Sequence, residues 1–136
     1  MTSGMNMDMY YEMRNVRREH HARRRAERGA ALLDSKYPGW ESHIKIEMLD
    51  LSSPCNCILG QLVVDGTIRE LVPTNLGLNP YQKGLNALGW RDDGTTPEHL
   101  GVELDELNGF EEGQGGLSYY ELDEAWLDVL ANRGVE

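Results

Sequence analysis

Apolar positions along this chain recur at spacings of three and four, the period of a helix that buries one face. The first such stretch runs from about Tyr10 to Lys36. At 100° per residue Arg14, Arg17, Arg18, His21, Arg24, Arg25 and Arg28 fall within roughly 120° of arc, a continuous basic stripe. Met9, Met13, Val16 and His20 lie on the opposite flank, and Ala22, Ala26, Ala30 and Leu33 form a strip of small residues. Gly29 interrupts the pattern and weakens a helix there by ~1 kcal/mol relative to alanine.

Beyond Lys36 the pattern breaks into shorter, well-punctuated helices. Ser53-Pro54 reads as an N-cap followed by proline at the first helical position. Cys55, Ile58, Leu59, Leu62 and Val63 then make a buried stripe that Asp65-Gly66 closes. Val63 to Ile68 could alternatively turn as a hairpin, since Asp-Gly favours a type I′ turn; the regular stripe before it favours the helix ending. Asn79-Pro80 opens another helix with Tyr81, Leu85 and Leu88 inward and Gly89 at its end. Thr96-Pro97 opens a third, carrying Leu100, Leu104 and Leu107 up to Asn108-Gly109. Ser118 and Glu121 form a capping box ahead of Leu122, Ala125, Trp126, Val129 and Leu130, and Asn132-Arg133-Gly134 stops that helix. His43 to Leu51 fits either a short extended piece or an irregular loop with buried leucines, and Gly113 to Gly116 reads as a linker. The expected fold is therefore mainly α: a small bundle of short helices with a long basic N-terminal helix and little or no β structure.

Charge divides the chain as the periodicity does. Its 136 residues carry 13 Lys/Arg against 23 Asp/Glu, a formal net charge of −10. Residues 1–36 hold eight basic against five acidic residues, whereas residues 37–136 hold five against eighteen. This asymmetry gives a basic Met/Arg-rich arm over residues 1–25 and one acidic, mostly helical domain over residues 26–136. The acidic body argues against general affinity for nucleic acid or anionic lipid, but it leaves the arm free to meet phosphates or an acidic protein surface. No run of ~18 apolar residues offers a membrane span, and the N-terminus lacks the apolar stretch of a secretory signal. Two cysteines two residues apart make no disulfide framework and fit a reducing compartment.

Local chemistry is sparse. Cys55-Asn56-Cys57 invites a metal, but tetrahedral zinc needs four ligands, and His20, His21, His43 and His99 supply no matching pair. Cys55 is expected to be a small buried hydrophobe, while Cys57 falls in a first helical turn, where a thiolate would be favoured. Ser35, Ser42, Ser52, Ser53 and Ser118 lie in turns or caps without a nucleophile elbow. Asp92-Asp93, Glu103-Asp105-Glu106 and Glu111-Glu112 read as solvated faces and loops. The expectation is a protein without catalytic residues, metal site or cofactor.

Arg28-Gly29-Ala30-Ala31-Leu32-Leu33-Asp34, Tyr37-Pro38-Gly39-Trp40 and Leu49-Asp50-Leu51 precede the most specific block, Cys55-Asn56-Cys57-Ile58-Leu59-Gly60-Gln61-Leu62. Gly84 to Gly89, Asn108-Gly109-Phe110 and Glu124-Ala125-Trp126 follow in order. Across residues 26–132 this pattern resembles small proteins of actinobacteria and their phages to which no activity is assigned. The chain departs from it between Val63 and Asn79, where it is longer, and in the basic arm. The resemblance implies a phage or prophage product in a bacterial cytoplasm. Taken with the charge pattern, it makes the first expectation a non-enzymatic accessory protein that binds a host or virion protein. Nucleic-acid association through the arginine stripe is the second, and a structural or assembly role in a virion the third. No membrane partner is expected, and the oligomeric state is left open.

Overall fold

The computed structural model describes residues 7–69, 77–89, 108–111 and 117–135; for residues 7–12, 14 and 15 it describes the backbone alone. Among the described residues there are four α-helices and no strand: α1 (Met7–Lys36), α2 (Ile58–Val64), α3 (Pro80–Leu88) and α4 (Tyr119–Asn132). The mainly helical reading holds on these residues, and the division at residue 25 falls within α1, which runs unbroken across it. The helix expected after Thr96-Pro97 and the glycine linker lie outside the described residues.

The inward face of α1 is the strip of small residues. Ala22, Ala26, Ala30 and Leu33 are at most 1% exposed, so the core already includes residues N-terminal to Ala26. Short side chains there let α4 approach closely, and Gly29 marks the tightest point. A Cβ on Gly29 would lie 2.8 Å from Trp126 Cζ2 and would meet the Asn108 carbonyl oxygen as well. The residue that looked like a weakness in the helix is thus where the helix is crossed. Three contacts taken in order, Arg18 with Glu121, Gly29 with Trp126 and Asp34 with Arg133, show that α1 and α4 run in the same direction.

Gly39, at φ 85°, turns the chain after α1 into a 3-10 turn over Trp40–His43. Trp40 is fully buried, and its indole N–H donates to Asp34 Oδ1 at 2.9 Å. A second 3-10 turn, Ile46–Met48, follows, with Ile44 and Leu51 buried on either side of it. His43 to Leu51 is therefore an irregular loop with buried apolar anchors. Asp123 on α4 accepts the Leu51 N–H at 2.8 Å and fixes the end of that loop.

The Cys-x-Cys block corrects two expectations. Residues 51–57 form turns, so α2 starts at Ile58 and its N-cap is Cys57, not Ser53. The Gly60 N–H donates to Cys57 Sγ at 3.2 Å. Gly60 also packs under the Pro54 carbonyl, where a Cβ would collide with the oxygen, so the chain before Ile58 folds over α2 and does not extend it. In consequence Cys57 is the buried cysteine and Cys55 is exposed. Gln61, a buried polar side chain, holds this turn to the preceding loop. Its Oε1 accepts the Lys45 N–H at 2.7 Å, and its Nε2 donates to the Lys45 and Asn56 carbonyls. Leu59 and Leu62, both fully buried, continue into the core, and Gly84 of α3 packs against Leu59.

The remaining caps agree with expectation. Asn79 caps α3 with a full capping box to Gln82, Pro80 opens the helix, and Gly89 ends it at φ 119°. Ser118 and Glu121 cap α4, and Leu122, Ala125, Trp126, Val129 and Leu130 are all buried. Trp126 stacks on Phe110 at 5.7 Å and meets Trp40 in a T-shaped contact at 6.0 Å, joining three separate segments at one aromatic centre.

Candidate functional site

The basic stripe is split by its position on α1. Arg18 lies one turn before Ala22 and so continues the buried row; its guanidinium turns inward and forks onto Glu121, with Nε to Oε2 at 2.8 Å. Glu121 is also the capping-box carboxylate of α4, receiving the Ser118 N–H at 3.2 Å. Arg18 therefore buttresses the start of α4 and leaves the outward stripe. Arg25, one turn before Gly29, is half-buried at the same edge. Arg17, His21, Arg24 and Arg28 remain fully outward, and among the described residues no carboxylate pairs with them. The Arg14 side chain lies outside the described residues.

On the other side of α1 an open groove of about 740 Å³ separates it from α4. Val16, Arg18, Glu19, His20 and Arg23 line one wall, and Tyr120, Glu121, Glu124 and Asp128 the other; Arg18 is paired with Glu121 and Arg23 with Glu27. Val16 is 63% exposed and Tyr120 73%, large apolar side chains left in water on adjacent helices, with Met13 also exposed nearby. Glu19, Glu124 and Asp128 have no cation within ion-pair reach among the described residues. Val16 and His20, from the flank read from the sequence, thus belong to the groove's wall. The groove itself needs α4 and could not be drawn from α1 alone.

Other polar clusters serve the fold. Arg133 forks onto Asp34 at 2.7 and 2.8 Å while its guanidinium lies 5.6 Å over the Trp40 ring, which latches the ends of α1 and α4 together. His43 contacts Asp65 at 3.0 Å. Burial pushes the Cys57 thiol up to about 11, against the Gly60 N–H that favours its thiolate, so the first-turn thiolate expected from sequence is overturned. Among the described residues no group of three His, Cys, Asp or Glu could hold a metal ion, and no helix is long and apolar enough to cross a membrane.

The two arginine forks set an acid dependence. Hydrogen bonding to Arg18 holds the Glu121 carboxyl below its ordinary 4.5, and hydrogen bonding to Arg133 holds Asp34 below 3.8. A carboxyl whose folded value is depressed stabilises the fold fully above its unfolded value and loses that contribution as pH falls through the folded one. Asp123 acts in the opposite sense, because burial raises its carboxyl. Comparison with Arg18→Ala and Arg133→Ala cancels the Asp123 contribution, which both share. Wild type is expected to lose more stability than either variant as pH is lowered below about 4.5, read as urea midpoints at successive pH. Parallel curves for wild type and both variants would remove these forks from the acid response.

No family model, curated protein or solved structure matches the chain.

Proposed function

We propose that this chain is a non-enzymatic accessory protein of phage or prophage origin that binds a host or virion protein in the bacterial cytoplasm. The long basic N-terminal helix is its binding element. The observation that carries this reading is the outward row Arg17, His21, Arg24 and Arg28, at spacings of four, three and four, unpaired among the described residues. The row covers about 16 Å of helix at 1.5 Å per residue. It rides on a helix whose other face is locked into the core, so little ordering entropy opposes its use. Exposed Met13, Val16 and Tyr120 lie close by, and protein interfaces are enriched in methionine, tyrosine and arginine. An acidic protein surface is the matching partner.

The test is affinity capture from host lysate at low salt, comparing the full chain with the double variant His21→Glu, Arg28→Glu. The expected result is a protein held by the wild type and lost by the variant. Identical recoveries would overturn the reading. The same unpaired row also supports a second reading, binding to duplex phosphates; no aromatic residue interleaves with the arginines to favour single strands. That reading requires retention on DNA that falls steeply with salt and disappears in the same variant.

A further inference from the structure

We infer that the groove between α1 and α4 seats the α1 helix of a second copy of this chain, in a two-fold dimer. The groove presents exposed Val16 and Tyr120 among three carboxylates, Glu19, Glu124 and Asp128, that have no cation partner among the described residues, while its two arginines, Arg18 and Arg23, are taken up by Glu121 and Glu27. What fits it is a helix with an apolar line and cations beside that line. The chain carries such a helix. On α1 the exposed Met13 and Val16 run alongside Arg17 and Arg24, the two members of the outward row nearest the groove by angle. Both halves of the contact therefore stand on one molecule, unpaired and facing water, the condition for a self-complementary two-fold interface. Laid in the groove, α1 of the partner would cover Val16 and Tyr120 and bring its Arg17 and Arg24 over Glu19, Glu124 and Asp128. The same contact is repeated by symmetry on the other side.

This inference goes beyond the proposed partner binding: it takes Arg17, Arg24, Met13, Val16 and Tyr120 from the surface described there and leaves His21 and Arg28 to the partner. His21 and Arg28 point away from the groove and stay open in the dimer.

The experiment is sedimentation equilibrium of the full chain over a range of concentration and salt. Wild type is expected to be dimeric at low salt and to dissociate as salt is raised. Glu124→Arg with Asp128→Arg, and separately Arg17→Glu with Arg24→Glu, should each weaken self-association by roughly 100-fold or more, because like charges then face each other. Mixing the two variants should restore a dimer, since both contacts of the mixed pair are again of opposite sign. Thermal melts of the separate variants confirm that they remain folded. A wild type that stays monomeric to the highest attainable concentration would overturn the dimer, as would dimers indifferent to both reversals or variants that do not recombine. The host-capture result, which depends on His21 and Arg28, is read independently, so either idea can fail alone.

Discussion

Replacing Gly29 by valine is expected to cost this fold about 3 kcal/mol or more, at the upper end of what overpacking a core does. Glycine in a helix interior normally invites improvement, because alanine there gains ~1 kcal/mol of helix propensity. Here that gain meets a wall on two sides. A Cβ would press into the Asn108 carbonyl oxygen, a backbone atom, and lie 2.8 and 2.9 Å from two ring carbons of Trp126, which is itself fully buried. Neither neighbour is the free end of a flexible side chain, so α1 must lift from α4. Gly29→Ala should already be destabilising by ~1–3 kcal/mol despite its better propensity, and valine adds a branched side chain that is stiff in a helix. Ala31→Leu, at an exposed position of the same helix, serves as the control and should move the urea midpoint by no more than ~0.5 kcal/mol equivalent. A Gly29→Ala protein as stable as the wild type would mean that α1 does not cross Trp126 this closely.

What could be read from sequence, and what could not, follows from whether the information was local. Asn79-Pro80 with Gln82 and Ser118 with Glu121 declare their helices because a cap and its box lie within four residues, and the α4 stripe is complete within nine. Ser53-Pro54 carries the same local signal and misled, since the contact that decides against it is the packing of Gly60 beneath the Pro54 carbonyl. Once that turn forms, Cys57 takes the cap and the burial of the two cysteines is exchanged. The block from Cys55 to Leu62 is explained by this turn: Cys57 caps, Gly60 gives clearance, Gln61 clamps the Lys45 backbone and Leu62 fills the core. Those residues specify architecture. On α1, angular position alone grouped Arg18 with the outward arginines. The Ala30–Ala26–Ala22 row, extended back by four residues, reaches Arg18 and places it at the buried edge, where it meets Glu121. The groove was not legible, because its second wall belongs to a helix about a hundred residues later.

Trp126 is where α1, the Trp40 turn and the Phe110 segment meet, and its truncation should be the most damaging single change in α4. Its ring is fully buried between Phe110 and Trp40, and its indole N–H donates to the Gly109 carbonyl at 2.6 Å. Trp126→Ala leaves a cavity that tightly packed neighbours cannot fill, and a loss of about 3–5 kcal/mol is expected. Trp126→Phe separates the two contributions. It keeps most of the aromatic contact but leaves the buried Gly109 carbonyl without its donor, for a loss of about 1–3 kcal/mol. The Gly29 and Trp126 variants also test each other. If Gly29→Val is costly because it strikes the Trp126 ring, part of that cost disappears when the ring is gone. The double variant Gly29→Val, Trp126→Ala should then lose less stability than the sum of the singles, by roughly 0.5–3 kcal/mol. Chemical denaturation of the four proteins closes the cycle. Strict additivity would separate the two residues energetically and would assign the Gly29 requirement to the Asn108 carbonyl alone.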